Sequence, residues 1–369
     1  MIHLAIIIGT RPDAIKLSPV IYALENIEGF QISVIATAQH REMLDMVIDV
    51  FQIKPEIDFN IMIPDQTLPE LSRRLIPVLD EWLSEKKPDL LIVQGDTTSS
   101  MTASLVAYYN RIPVVHVEAG LRTHDINYPF PEELNRVYID HTAELLMAPT
   151  PLAKENLLRE GVPEGRIYIT GNTVIDALIR IRKNVNPSNL LEQIFNLRGN
   201  RRLIVVTAHR RENFGEGILN IIKAVKSLSH LNTTLIVWPV HPNPNVHRPV
   251  FENLSQEENI LLTDPLPYPD MIQLIEHSDL VLTDSGGLQE ECSFLKVPVL
   301  VLREKTERQE IIEVGIGKLV GSNPDTIIRE SLKYLNSPGM KDRLKDIPCP
   351  YGSGDAGEKI AGIIKRRYG

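Results

Sequence analysis

Several charged residues in this sequence directly follow runs too apolar to have a solvent face, and that placement is where chemistry can begin. Asp96 follows LLIVQ, Glu118 follows VVHV, and Glu132 and Glu133 open a helical pattern after Pro129 and Pro131. A charged group at the end of a buried strand must be solvated or used, because burial without partners is costly. Crowded carboxylates raise one another's pKa, which lets one residue type serve as both acid and base. Helix capping is the alternative role for Asp96, and helix-dipole stabilisation the alternative for Glu132 and Glu133. Cations follow other strands. Arg11 and Lys16 lie in GTRPDAIK, and His209, Arg210 and Arg211 in TAHRREN; His241 lies in PVHPNPNV, and Arg308 in TERQE. Arginine forks suit phosphate.

The stretch LVLTDSGGLQEE, Leu280 to Glu291, is the clearest anion site. A strand ends at Thr283 and a helix leaves from Ser285-Gly286-Gly287, exposing unpaired N–H groups and the positive end of the helix dipole. Glycines there let a phosphate approach the backbone. Glu290 and Glu291 follow where carboxylates can hold the hydroxyls of an attached sugar, as in dinucleotide folds.

The elements that position these residues alternate strand and helix. Strands are expected at His3–Ile8, Ile32–Ala36, Asp89–Val93, Val114–Val117, Leu145–Met147 and Ile167–Thr170, and helices at Leu68–Lys86 and Ser99–Asn110. The pattern restarts around residue 168, and after a polar separator near Asn184–Asn200 strands are expected at Leu203–Thr207, Thr234–Val240, Ile260–Leu262, Leu280–Thr283, Val299–Leu302 and Lys318–Val320. This is α/β alternation, two doubly wound Rossmann-like domains with ligands expected in the cleft between them. The expected boundaries are 1–168, 169–352 and a C-terminal helix, 353–369, packing back on the first domain. The GSGDAG at 352–357 fits the dinucleotide fingerprint but lacks a preceding strand and a following βαβ unit, so no nicotinamide site is expected there.

With 369 residues and 43% hydrophobic composition, the chain can build two cores. Its 39 lysines and arginines against 48 aspartates and glutamates, a net charge of −9, argue against nucleic-acid wrapping or coating of an anionic membrane. Cys292 and Cys349 have no zinc spacing and suggest no disulfide framework, so no metal is expected; Cys292 reads as core. No apolar run approaches membrane-spanning length and the first residues lack signal-peptide character, so the expected location is the cytoplasm.

Taken in order, GTRPDAIK, TAQH, QGDTTS, HVEAGLRT, PFPEELNR, TGNTVIDA, TAHRRENFG, PVHPNPNV, TDSGGLQEE and TERQE resemble the non-hydrolysing UDP-N-acetylglucosamine 2-epimerases over nearly the whole chain. The resemblance implies a GT-B architecture, a UDP-sugar in the interdomain cleft, a homodimer, no cofactor, and interconversion of UDP-GlcNAc with UDP-ManNAc. It also implies a route: elimination of UDP to 2-acetamidoglucal, then re-addition with a proton delivered to the opposite face of C2. On this basis Asp96, Glu118 and Glu132 match the catalytic acids, with their division into acid and base open, and His209, Arg11, Lys16 and Arg308 match groups that assist or bind the phosphates. Ser285, Gly286 and Gly287 would hold the diphosphate, Glu291 the ribose, and Met271 would lie near the uracil. An effector site for a second UDP-GlcNAc would include Gln39, Glu132, Arg210 and His241. Glu42 stands where regulated members can carry glutamine and Asp65 near where they can carry arginine, so weakened activation is expected. A hydrolysing epimerase, an epimerase of a modified UDP-sugar, a GT-B glycosyltransferase and a non-catalytic UDP-sugar sensor are the competing readings.

Overall fold

A computed structural model describes residues 1–37, 41–63, 66–184, 186–337 and 339–369; the side chains of Arg41, Glu42, Met43, Asp45 and Asn184 lie outside the description. The chain forms two compact units, one of residues 1–179 with 351–369, the other of residues 180–350.

The first unit holds a seven-stranded parallel sheet: β1 (Ile2–Ile8), β2 (Phe30–Ala36), β3 (Ile57–Asp58), β4 (Leu90–Gln94), β5 (Val114–Val117), β6 (Leu145–Ala148) and β7 (Ile167–Ile169). Their order is β3-β2-β1-β4-β5-β6-β7. IHLAIII in β1 is apolar at successive positions because helices cover both faces of a parallel sheet. The Leu68–Lys86 helix forms as its pattern predicts. Thr67 caps it, accepting from the Glu70 N–H, and Leu71, Leu75, Leu79, Trp82 and Leu83 are buried along one stripe.

The second unit repeats the plan with β8 (Arg202–Thr207), β9 (Thr234–Pro239), β10 (Ile260–Thr263), β11 (Leu280–Thr283), β12 (Val299–Val301) and β13 (Gly317–Leu319), ordered β10-β9-β8-β11-β12-β13. Ile204 and Val206 join one apolar cluster while Leu203 and Val205 join another, the period-two alternation of a sheet covered on both faces. In each sheet the order reverses beside the first strand, between β1 and β4 and between β8 and β11. Crevices outside the carboxyl ends of strands open at such switch points.

Three features differ from the sequence-based expectation. The polar stretch after Asn184 is not a plain separator, because Asn189–Arg198 is a helix capped by Ser188, whose buried Leu191 and Ile194 join the second unit's core. The unit boundary falls inside the helix Thr173–Asn184, later than the expected division at 168/169, and Val174, Ile175, Ala177 and Leu178 are buried at the start of that helix. The returning segment belongs to the first unit from Tyr351 onward. Its helix Ala356–Tyr368 lies so close to the helix Arg11–Glu25 that a Cβ on Gly357 would come within 2.7 Å of the Pro19 carbonyl oxygen. The 352–357 glycine segment leads directly into this helix, and β13 is the last strand among the described residues.

Candidate active site

At the first switch point, three turns share the carboxyl ends of the adjacent strands β1, β4 and β5. The β1 turn is pressed against its neighbour: a Cβ on Gly9 would lie 2.8 Å from the Ser99 side chain and 2.9 Å from Thr37 Oγ1. Asp13 fixes this turn by accepting from the Gly9 N–H (3.0 Å), the Thr10 N–H (3.0 Å) and Thr10 Oγ1 (2.8 Å). Burial, offset in part by these donors, pushes its carboxyl up to about 7. Lys16, one turn further and buried, forms an ion pair with Glu118.

Asp96 sits after β4, and Thr97, not Asp96, caps the helix Thr98–Tyr109 by accepting from the Ser100 N–H (3.1 Å). The Asp96 carboxylate is therefore free of the capping task; Arg136 forms an ion pair with it, and Asn135 Nδ2 donates to its backbone carbonyl at 2.9 Å. Glu118 adopts φ 71°, an uncommon conformation for a residue with a side chain and one that concentrates at functional sites. Its Oε2 accepts from Asn172 Nδ2 at 2.7 Å, in addition to the pairing with Lys16. Gly120 follows at φ 86°, where a Cβ would strike the Ala153 carbonyl oxygen at 2.3 Å.

A buried network joins these turns. The two ring nitrogens of His116 lie 2.6 Å from Asp140 Oδ1 and 2.8 Å from the Gly95 carbonyl oxygen. Asp140 also accepts from the Gly120 N–H (3.1 Å) and pairs with Arg122 (2.7 Å). Burial works to raise the Asp140 carboxyl, yet His116 and Arg122 hold it below the usual carboxylate range. Of the paired glutamates, Glu133 is the structural one. Its buried carboxylate accepts from the N–H groups of Thr123 (2.9 Å) and His124 (3.0 Å) and from Arg136 (3.1 Å), whereas Glu132, the first residue of the helix Glu132–Thr142, is partly exposed.

The second switch point is organised by buried Asp284, after β11. It accepts from the N–H groups of His209 and Arg210, both at 2.9 Å, and from Asn213 Nδ2 at 3.0 Å, fixing the turn after β8 to the neighbouring strand. Thr207 and Thr283 bridge the same two strands through their hydroxyls at 2.6 Å. His209 is partly exposed and stacks on His241, centroids 5.5 Å apart at 19°. Ser285 stands at the N-cap of the helix Gly286–Leu295 without making a side-chain cap bond, which leaves the helix start suited to an anion.

Arg308 lies across that helix start. Its Nε donates to Glu290 at 2.9 Å and its Nη1 pairs with Glu307. A Cβ on Gly286 would sit 2.6 Å from the guanidinium, whereas one on Gly287 would meet nothing within 4 Å. Arg303 continues the network to Glu307 (2.9 Å) and to Glu212 (2.6 Å). Met271 and Glu291 are buried, Met271 within the apolar cluster on one face of the sheet.

Asp96, Glu118, Lys16 and Arg11 thus belong to the first mouth, and His209, Arg210, His241, Ser285, Gly286, Gly287 and Arg308 to the second. Gln39 and Asp65, and the side chain of Glu42, lie outside the described residues. Sequence reasoning passed over Arg136, Asn172, His116 with Asp140, and Asp284. Arg136 and Asn172 stand inside PFPEELNR and TGNTVIDA, so the motifs marked them without giving their partners.

Residues 22–365 match the model of a family described as UDP-N-acetylglucosamine 2-epimerase. The chain is 45% identical over 365 residues, 97% of each protein, to the UDP-N-acetylglucosamine 2-epimerase of Salmonella typhimurium. It is also similar to the crystal structure of UDP-GlcNAc 2-epimerase from Neisseria meningitidis bound to UDP-GlcNAc, with a TM-score of 0.95 and 42% identity over 99% of this chain and 100% of that one. For the Methanocaldococcus jannaschii UDP-GlcNAc 2-epimerase in complex with UDP-GlcNAc and UDP, the TM-score is 0.89 and the identity 35%, covering 99% and 100%.

Proposed function

The chain belongs to the UDP-N-acetylglucosamine 2-epimerase family, and from that premise we propose how its residues carry out the reaction. It is an α/β enzyme of GT-B architecture that inverts C2 of UDP-N-acetylglucosamine reversibly, giving UDP-N-acetylmannosamine. The C2 hydrogen has no adjacent carbonyl to acidify it, so the group on C1 must leave. A carboxylate takes the C2 proton, the C–H electrons form the C1–C2 double bond of 2-acetamidoglucal, and the C1–O pair departs with UDP. Return of UDP to C1 with a proton on the other face of C2 completes the inversion. Two faces require two proton-handling groups.

The observation that supports this reading is the pairing of two carboxylates with cations at one switch point, Glu118 with Lys16 and Asp96 with Arg136. Glu132 completes the set. The start of the helix at Ser285, Gly286 and Gly287, with Arg308, holds the diphosphate, and Arg11, Lys16 and His209 assist the leaving group. Glu291 takes the ribose and Met271 neighbours the uracil. A homodimer in the cytoplasm is part of the reading, and sedimentation of the purified protein tests the assembly. No described helix is long and apolar enough to cross a membrane. Activation at an effector site of Gln39, Glu132, Arg210 and His241 is weakened by the acids Glu42 and Asp65. Strong stimulation of the reverse reaction by trace UDP-GlcNAc would refute that.

The deciding experiment incubates the protein with UDP-GlcNAc in heavy water and follows the proton spectrum. Deuterium at C2 in a mixture of two UDP-sugars is the expected result. Free sugar with UDP would mean hydrolysis, and an inert spectrum with tight UDP binding would mean a sensor.

A further inference from the structure

We propose that Asn172 is a positioning residue for proton transfer at C2, holding the Glu118 carboxylate in place and itself anchored by the returning C-terminal segment. The inference rests on the reading that Glu118 handles the C2 proton. Asn172 stands after β7, far from Glu118 in sequence, yet its Nδ2 donates to Glu118 Oε2 at 2.7 Å. The amide has one orientation: its Oδ1 accepts from the Val174 N–H at 3.1 Å, so the NH2 must face the carboxylate. The backbone is fixed as well. The Asn172 N–H donates to the Tyr351 carbonyl at 2.8 Å, and Gly171 adopts φ 86° with room for a Cβ only 3.1 Å from that same oxygen. Tyr351 is fully buried, so the carbonyl is a rigid support.

The consequence is chemical. Glu118 Oε2 lies between a cation, Lys16, and a neutral donor, Asn172. The cation supplies charge complementarity, and the amide supplies direction, since its planar N–H fixes where the oxygen sits. A base misplaced by a fraction of an ångström loses rate while substrate binding persists, because the grip on the diphosphate lies elsewhere.

Asn172→Ala should lower kcat roughly 10–100-fold, as loss of a supporting hydrogen bond commonly does. KM and UDP affinity should stay within about threefold of wild type, the signature of an interaction that matters in the transition state. Asn172→Asp keeps the Val174 acceptor and guards against a failure to fold. It sets a second carboxyl beside Glu118 and Lys16, so activity should recover toward lower pH as the introduced acid gains a proton and donates again. A merely structural role would not move the pH profile in that direction. Gly171→Ala, pressed against Tyr351, should lower kcat in the same way. Glu118→Gln separates the two levels of reading. An active Glu118→Gln enzyme overturns the assignment of Glu118 and this inference with it. An inactive Glu118→Gln enzyme beside Asn172→Ala with wild-type kcat overturns this inference alone.

Discussion

Gly286 and Gly287 are adjacent in sequence and open the same helix, yet substitution by alanine should have opposite effects on stability. A Cβ at Gly286 would lie 2.6 Å from the Arg308 guanidinium. Ordinary carbon contacts begin near ~3.5 Å, so the guanidinium would have to retreat by roughly 1 Å. A free arginine could swing away, but Arg308 is buried and held by Glu290 at 2.9 Å and by Glu307. A retreat on that scale takes the Glu290 contact out of hydrogen-bonding range, and a charged hydrogen bond lost in a buried site costs about 2–3 kcal/mol. At Gly287 the added methyl meets nothing within 4 Å. There the usual helical advantage of alanine over glycine applies, a gain of about 0.5–1 kcal/mol. Urea unfolding of the two variants measures the difference, and UDP titration separates stability from binding. Gly286→Ala should lose both stability and UDP affinity, whereas Gly287→Ala should be at least as stable as wild type and weaken UDP alone. A Gly286→Ala protein as stable as wild type, or a Gly287→Ala protein destabilised to the same degree, would refute the reasoning.

Asp284→Asn keeps one acceptor oxygen for the donors that meet Oδ2 but sets an NH2 where Oδ1 now accepts from the His209 N–H at 3.1 Å, so it should cost about 2–3 kcal/mol in urea unfolding and lower kcat at least tenfold by loosening the His209 turn. His116→Phe removes the donor to Gly95 and one partner of Asp140, a loss of roughly 3 kcal/mol, with turnover falling because Asp96 stands on the released turn; unchanged unfolding would count against the network. Glu330 offers a pH test. Its carboxyl is lowered from 4.5 to about 2, chiefly by Lys318 and Lys333. A depressed carboxylate contributes stability that is complete above its unfolded value and lost as pH falls through the folded one. The cations are about half exposed, so Glu330→Gln should cost only about 1 kcal/mol at pH 7, with the gap to wild type closing between pH 4.5 and 2.

The sheets were legible because strands buried on both faces are written as continuous apolar runs, as in β1 and β4. The helix Asn189–Arg198 was not, since its surrounding asparagines and Pro187 outweighed the Leu191 and Ile194 pair that buries it. At the site, residue type and position after a strand located Asp96, Glu118 and His209. What they could not supply was the pairing. Asn172 meets Glu118 and Asp284 meets His209 across long stretches of chain, contacts that register and crossover geometry create. The motif resemblance pointed to Glu132, but the task of Glu133 was not legible: its buried carboxylate is held by Arg136 and the Thr123 and His124 N–H groups.

The return of Tyr351–Gly369 to the first unit bears on how the protein is made. Synthesis is vectorial, so β1 to β7 leave the ribosome before the helix that covers Arg11–Glu25 exists. At about 5–20 residues per second, translating residues 180–350 adds roughly ten to thirty seconds to that wait. Through this interval the second unit is being made, while the nascent first unit lacks the helix whose Ile360, Ile363 and Ile364 are buried in the finished protein. The Tyr351 carbonyl that anchors Asn172 arrives in the same late segment. Maturation of the Glu118 environment therefore waits until Tyr351 has been made, after the whole of the second unit.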